Sequence, residues 1–290
     1  MTSASELTKT LAAVSDHPHV ELLVAQSAGP AGRPLLVIHG GPDWDHTYLR
    51  DPLARLGDRY RLIMPDIRGC GRSTAGLAVE NYTPDAAVAD FEALMRVLNV
   101  EMVDLLGFSY GGLLAQRLAL RAPRLVRKLI IASSSIYPVP ADAYADWPER
   151  LIREAARRAA WADTTLHGTE LVRAAAIAGA SADVWREDKL PGYLHRLEDV
   201  CFGAEWMGPW RAGILPDARP PAAEAGLAKL GIPVLLLHGA QDTTFPAQLA
   251  AKAANRVPGP RAVIIERAGH MAHVDDADRW IEAVEDFLTE

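Results

Sequence analysis

The sequence predicts an α/β fold with a mostly parallel central sheet flanked by helices. Three observations predict it. Apolar runs of strand length recur along the chain, helical patterns fill most gaps between them, and one long interval carries no strand pattern. Strands are predicted at Leu35–Ile38, Arg61–Met64, Met102–Leu106, Lys128–Ala132, Val234–Leu237 and Ala262–Ile265. These runs are nearly continuous in apolar residues, as strands covered on both faces are. Between them, Pro84–Leu98 places Ala87, Val88, Phe91, Leu94, Met95 and Leu98 close to a 3.6-residue period. Leu113–Ala122 and Trp280–Leu288 are predicted as further helices.

From about Ile136 to Gly231 the chain reads instead as several helices joined by proline-rich turns. Five of the seven tryptophans fall there: Trp147, Trp161, Trp185, Trp206 and Trp210. An insertion at the C-terminal end of a strand sits over the crevice where such sheets bind ligands. Residues 136–231 are therefore predicted as a helical cap, inserted before the strand at about 233–238. Residues 1–135 and 232–290 are predicted as the core domain.

Composition narrows the function. The 290 residues are 49% hydrophobic and 23% charged, with a net charge of −7. That balance fits a globular protein and gives no electrostatic reason to expect nucleic acid or an anionic membrane as partner. No apolar run approaches the roughly 20 residues needed to span a bilayer. The first residues lack the basic start and apolar stretch of a secretory signal. Cys70 and Cys201 are accordingly read as free thiols in a reducing compartment, and the expected location is cytoplasmic.

The chemistry is read from "LLGFSYGG", residues 105–112. Gly107-Phe108-Ser109-Tyr110-Gly111 follows a predicted strand and opens a predicted helix, the context of a nucleophile elbow. A serine hydroxyl is a poor nucleophile until a base takes its proton, so a histidine and an orienting acid are required. His270, in "ERAGHMAH", follows the last predicted strand and is the expected base; His273 is the weaker candidate. Asp242, in "VLLLHGAQD", directly follows a strong strand and is the expected acid. An oxyanion hole needs two backbone N–H groups. Tyr110, next to the serine, should supply one, and Gly41 in "LLVIHGGPDWDH" the other, with His39 shaping that loop. This constellation calls for neither cofactor nor metal.

The order Ser109, Asp242, His270, with the His39-Gly40-Gly41-Pro42 loop upstream, resembles the α/β-hydrolase superfamily across nearly the whole chain. Together with Asp66-Ile67-Arg68-Gly69 in "DIRGCGRS", it is most similar to the proline iminopeptidases. Two departures stand out: Asp43-Trp44 where those enzymes typically continue with glycine, and Phe108 and Tyr110 where they carry glycine and tryptophan. The resemblance implies a serine hydrolase that cleaves an amide or ester through an acyl-serine intermediate. First of all it implies one that removes an N-terminal aminoacyl group from a small-molecule or short peptidyl or aminoacyl substrate, with cap carboxylates that bind the free amine. Glu198 is the first candidate, because it falls on the Leu194, Leu197, Cys201 stripe of a predicted helix, and Glu205 is the second. Trp44 and Trp206 are the expected aromatic substrate contacts. Relatives with other acyl specificities (esterases, carbon–carbon bond hydrolases, perhydrolases) share this pattern, as do receptor-like members with slow turnover.

Overall fold

The computed structural model describes residues 7–28, 33–256 and 260–290. Its strands are β1 (Thr8–Asp16), β2 (His19–Gln26), β3 (Pro34–Ile38), β4 (Arg61–Pro65), β5 (Val103–Phe108), β6 (Val126–Ala132), β7 (Val234–Gly239) and β8 (Pro260–Ile265). They form one eight-stranded sheet in the order β1-β2-β4-β3-β5-β6-β7-β8. The pairings from β4 across to β8 are all parallel, while β1 pairs β2 and β2 pairs β4 antiparallel. The expected fold class is thus confirmed, with two antiparallel strands that the apolar runs did not reveal. β1 lies at the sheet edge and buries only Ala12 of its nine residues, and its one apolar run, Leu11-Ala12-Ala13-Val14, is half alanine, a weak strand former.

Helices α1 (Pro84–Val97) and α2 (Tyr110–Arg121) precede and follow β5. Between β6 and β7 lie α3 (Pro148–Ala162), α4 (Gly168–Ala178), α5 (Leu190–Glu198), α6 (Met207–Arg211) and α7 (Ala223–Leu230). Helices α8 (Ala247–Arg256) and α9 (Ala277–Thr289) follow β7 and β8. Among the described residues, no strand interrupts the segment between β6 and β7, and no helix is long and apolar enough to cross a membrane. Local chemistry sets the helix starts. Thr83 accepts a hydrogen bond from the Ala86 N–H with Pro84 at the first helical position, and the Asp276 side chain accepts from the Arg279 N–H.

The period-2 alternation of strands divides the core between the two sheet faces. Leu36, Ile38, Leu105, Leu129 and Leu236 pack toward α1, α2 and α8. Leu35, Val37, Leu106, Ile130 and Leu237 pack toward α9 and toward α4 and α5 of the inserted segment.

The loop after β4 is pinned to α1 by a buried ion pair. Arg68 Nε and Nη2 each donate to the Asp90 carboxylate at 2.6 Å, and Nη1 donates to the Asn81 carbonyl at 3.0 Å. The same loop reaches the inserted segment, because Trp206 Nε1 donates to the Arg68 carbonyl at 2.7 Å. Asp90→Ala should lower unfolding free energy by about 3–5 kcal/mol in urea, since it strands a buried guanidinium. The double replacement Arg68→Met, Asp90→Leu should cost less than Asp90→Ala alone. Equal losses would show that the pair, and not the stranded charge, carries the effect.

Candidate active site

β5 runs without interruption into Ser109, and α2 begins one residue later. Ser109 adopts φ 53° and ψ −119°, an unusual conformation for a residue with a Cβ. Glycine makes the turn possible. A Cβ on Gly107 would lie 2.3 Å from the Gly111 carbonyl oxygen, and one on Gly111 would lie 2.2 Å from the Ile38 carbonyl oxygen. Strand and helix therefore approach too closely for any side chain at either position. The turn is fixed by the Ser109 N–H donating to the Ala132 carbonyl at 2.9 Å, and by the Gly112 N–H donating to the Ser109 carbonyl at 2.9 Å.

His270, in the loop after β8, is 3.0 Å from Ser109 Oγ through Nε2. Its Nδ1 is 3.0 and 3.1 Å from the two carboxylate oxygens of Asp242, in the loop after β7. A carboxylate facing Nδ1 assigns the proton to that nitrogen and leaves Nε2 as an acceptor for the serine hydroxyl. Asp242 is held in turn by the N–H groups of Thr244 and Phe245, which donate to Oδ1 at 2.8 and 2.9 Å. All three side chains are buried, Ser109 being 8% exposed and His270 5%. Burial alone would push the Asp242 carboxyl up; the facing imidazole's charge and hydrogen bond hold it below the usual carboxylate range. Burial alone would pull the His270 imidazole down, but Asp242 overcomes it and raises the imidazole above its ordinary value.

Opposite the histidine lies the loop after β3. The Ile67 N–H donates to His39 Nε2 at 3.0 Å, which leaves His39 Nδ1–H to donate to the Gly40 carbonyl at 2.7 Å. The Gly40 N–H donates to the Tyr48 hydroxyl at 2.8 Å. The next residue, Gly41, takes φ 113°, which favours glycine. Gly41, Ser109 and Tyr110 line one cavity, and the N–H groups of Gly41 and Tyr110 have no protein acceptor among the described residues. Tyr110 opens α2, where a free N–H and the helix dipole both favour a negative charge.

That cavity has a volume of about 340 Å³. Its far wall comes from the inserted segment and is mainly apolar: Trp161, Val172, Ala176, Met207 and Trp210. Trp44 lines it from the core side. One ion pair is set into this wall, Arg157 Nη2 to Asp183 Oδ1 at 2.5 Å, and Nη2 also donates to the Gly179 carbonyl. The sequence reading missed Tyr48, Arg157 and Asp183. Tyr48 follows the His-Gly-Gly-Pro loop with no motif to mark it, and Arg157 and Asp183 lie on different helical turns that only the fold brings together.

Asp43, at one of the departures from the iminopeptidase pattern, anchors the inserted segment. Its carboxylate accepts the Trp206 N–H at 3.0 Å and the Met207 N–H at 2.8 Å, and its carbonyl accepts the Gly203 N–H. Burial pushes its pKa up to about 6 despite these bonds.

Three of the expected substrate contacts do not reach the cavity. Glu198 is 65% exposed and pairs with its helical neighbour His195 at 3.0 Å. The buried face of α5 is centred on Tyr193 and Leu197, with Leu194 only at its edge, which turns Glu198 to solvent. Glu205 is half-buried against Gly69, and Trp206 is fully buried beneath Tyr110 and Tyr82, outside the cavity lining. Among the described residues, no cluster of three or more histidine, cysteine or carboxylate side chains is arranged to hold a metal ion.

Two neighbouring histidines should titrate oppositely. His273 is buried among Tyr48, Phe108 and Trp280 with no carboxylate beside it, and burial lowers its pKa to about 3. In an NMR titration, the His270 imidazole should protonate above pH 6.5 and His273 should stay neutral down to about pH 3. A His270 value below 6.5 would contradict a charged Asp242 at its side.

Residues 35–283 match the model of the alpha/beta hydrolase family. The chain is 29% identical over 269 residues to a 2-hydroxymuconate semialdehyde hydrolase of Pseudomonas sp. (strain CF600), covering 90% of this chain and 88% of that one. It is 28% identical over 272 residues to a proline iminopeptidase of Saccharolobus solfataricus, covering 89% and 85%. Among solved structures, an alpha/beta fold family hydrolase from Bacillus anthracis superposes with a TM-score of 0.76 at 20% identity, over 97% of this chain and 99% of that one. With its eight-stranded sheet, its elbow between β5 and α2 and this match over most of its length, the chain belongs to the alpha/beta hydrolase family.

Proposed function

We propose that the protein is a serine hydrolase that cleaves a carboxylic ester or amide through an acyl-serine intermediate. The observation that carries this reading is the hydrogen-bonded series from Ser109 Oγ through the His270 imidazole to Asp242, set beside two amides without acceptors. In the first half-reaction Ser109 Oγ bonds to the carbonyl carbon while its proton passes to His270 Nε2. The carbonyl oxygen takes the negative charge, which the Gly41 and Tyr110 N–H groups receive. The carbon–leaving-group bond then breaks, and the leaving group departs with the proton from Nε2. In the second half, His270 takes a proton from water, the hydroxide oxygen bonds to the acyl carbon, and Ser109 Oγ leaves reprotonated. Asp242 keeps the imidazole in the required tautomer and stabilises its charged form without taking the proton.

The helices between β6 and β7 act as the cap in this reading, and their apolar wall favours a substrate with a mainly apolar acyl or leaving group. Removal of an N-terminal aminoacyl residue is the second reading. Asp183 favours it by placing a carboxylate in the same cavity as Ser109, and the similarity to a proline iminopeptidase supports it. Arg157 pairs with that carboxylate, and with buried Glu154 at 3.4 Å, and the rest of the cap wall is mainly apolar, so ester or amide hydrolysis without an amine requirement is the better-supported reading.

Ser109→Ala and His270→Ala should each reduce kcat on an aryl ester by about 10⁴- to 10⁶-fold, and the double variant should lose no more than either single one. Near-normal turnover in Ser109→Ala would sink the mechanism. An aminoacyl-arylamide and its N-acetyl analogue should give kcat/KM values within about threefold of each other. A free-amine preference of about ten- to a hundred-fold, the size of a shielded charge-assisted contact, would favour the aminoacyl reading if Asp183→Asn abolishes it.

A further inference from the structure

Asp275 is buried, lies five residues after His270, and ends the single helical turn Ala272–Asp275. It takes no part in the chemistry described above. Its carboxylate accepts three backbone N–H groups: Gly269 at 2.7 Å and Trp185 at 3.0 Å on Oδ2, and Arg186 at 2.8 Å on Oδ1. Gly269 directly precedes His270. Trp185 and Arg186 belong to the inserted segment and directly follow Asp183 and Val184. The bonding continues on the other side of the histidine, where the Met271 N–H donates to the Asp183 carbonyl at 2.8 Å. The packing is close: a Cβ on Gly269 would lie 2.6 Å from that same carbonyl oxygen. Both neighbours of His270 are therefore tied to the 183–186 turn of the cap, one through Asp275 and one directly.

Resting on the serine-hydrolase reading, we propose that Asp275 is a positioning residue that joins the seating of the cap to the alignment of the His270 imidazole. A carboxylate suits this task because it offers acceptors only, and three N–H groups converge on it from two directions. An asparagine of the same shape has a single acceptor oxygen, and its NH₂ would confront an N–H. The loop holding His270 and the 183–186 turn would then separate, and Nδ1 would lose its placement against Asp242. The titratable and charged groups facing His270 are Asp242 from the loop after β7, His238 on β7 at 3.6 Å from Asp242, His273 three residues on, and Asp183 and Arg157 from the cap. The charged group facing Asp275 is Arg186, whose Nη1 donates to the Asp275 carbonyl at 3.3 Å. Loosening the Asp242 contact should therefore let burial pull the imidazole pKa down.

The experiment compares Asp275→Asn, Arg186→Pro, Arg186→Ala and a stability control, Asp104→Asn. Asp104 is bonded twice to Arg127 near the opposite end of β5, so its replacement weakens the fold away from the site. Asp275→Asn should lower kcat on an aryl ester by about ten- to a hundred-fold while KM stays within about threefold. Its His270 imidazole should titrate about half a unit lower or more by NMR. Asp104→Asn should lose stability with the imidazole titration unmoved. Arg186→Pro deletes one cap N–H without touching the core and should lower kcat more than Arg186→Ala, which keeps it. The proposal is overturned if Asp275→Asn loses stability while keeping the wild-type kcat and imidazole titration, or if Arg186→Pro and Arg186→Ala have equal kcat. The titration needs no substrate, so a wild-type protein inert on every ester would overturn the hydrolase reading, and the imidazole shift would still decide the coupling.

Discussion

Ser109 stands at φ 53°, a backbone state that costs a residue with a Cβ on the order of 1–3 kcal/mol and persists only when its surroundings impose it. Here they do. Gly111 lies against the carbonyls of Ile38 and His39, and Gly107 lies against Gly111, so β3, β5 and α2 meet with no room for side chains between their backbones. That close approach aims Oγ out of the strand–helix junction toward His270 and sets the Tyr110 N–H beside it. It also fixes how near the loop after β3 can come, because a Cβ on Gly40 would lie 2.9 Å from the Ser109 Cβ. One strained residue thus sets the spacing of the Ser109 hydroxyl, the His270 imidazole and the Gly41 and Tyr110 amides together.

The loops around Ser109 are irregular and buried, so their N–H groups need acceptors that neither sheet nor helix supplies. Five buried aspartates provide them; one, Asp45, accepts the Thr47 N–H at 2.9 Å and the Cys201 N–H at 3.1 Å. Asp66 accepts the His46 and Arg72 N–H groups, each at 3.1 Å, and the His46 ring at 2.6 Å. Asp43 holds Trp206 and Met207, Asp242 holds Thr244 and Phe245, and Asp275 holds Gly269, Trp185 and Arg186. Three of these, Asp43, Asp45 and Asp275, cross from the core to the inserted segment. The cavity wall is therefore registered against the loops that carry Gly41 and His270 by charge-assisted hydrogen bonds.

What the sequence made legible follows from how local each signal is. Most of the parallel strands announce themselves because burial on both faces demands continuous apolar runs, and the serine turn because its glycines, Gly107 and Gly111, lie only two residues either side of Ser109. β1 escaped because its single apolar run, Leu11-Ala12-Ala13-Val14, is half alanine and lies among threonine, lysine and serine, whereas the other edge strand, β8, carries Val263-Ile264-Ile265. Glu198 misled because a helical stripe gives a face but not its centre, and α5 turns on Tyr193 and Leu197. The Arg157–Asp183 pair and the Asp275 contacts join residues 26 and about 90 positions apart, with no local pattern at either end. Such groups become visible only when the fold brings them together.

The central claim is that Ser109 carries the acyl group between two half-reactions. Quenching the wild-type protein in acid during turnover of an aryl ester, then mapping the adduct by peptide mass spectrometry, tests it most directly. A single acyl group on Ser109, accumulating to no more than one per chain and lost on further incubation, is the expected result. Steady turnover with no adduct, or an adduct on any other residue, would contradict it.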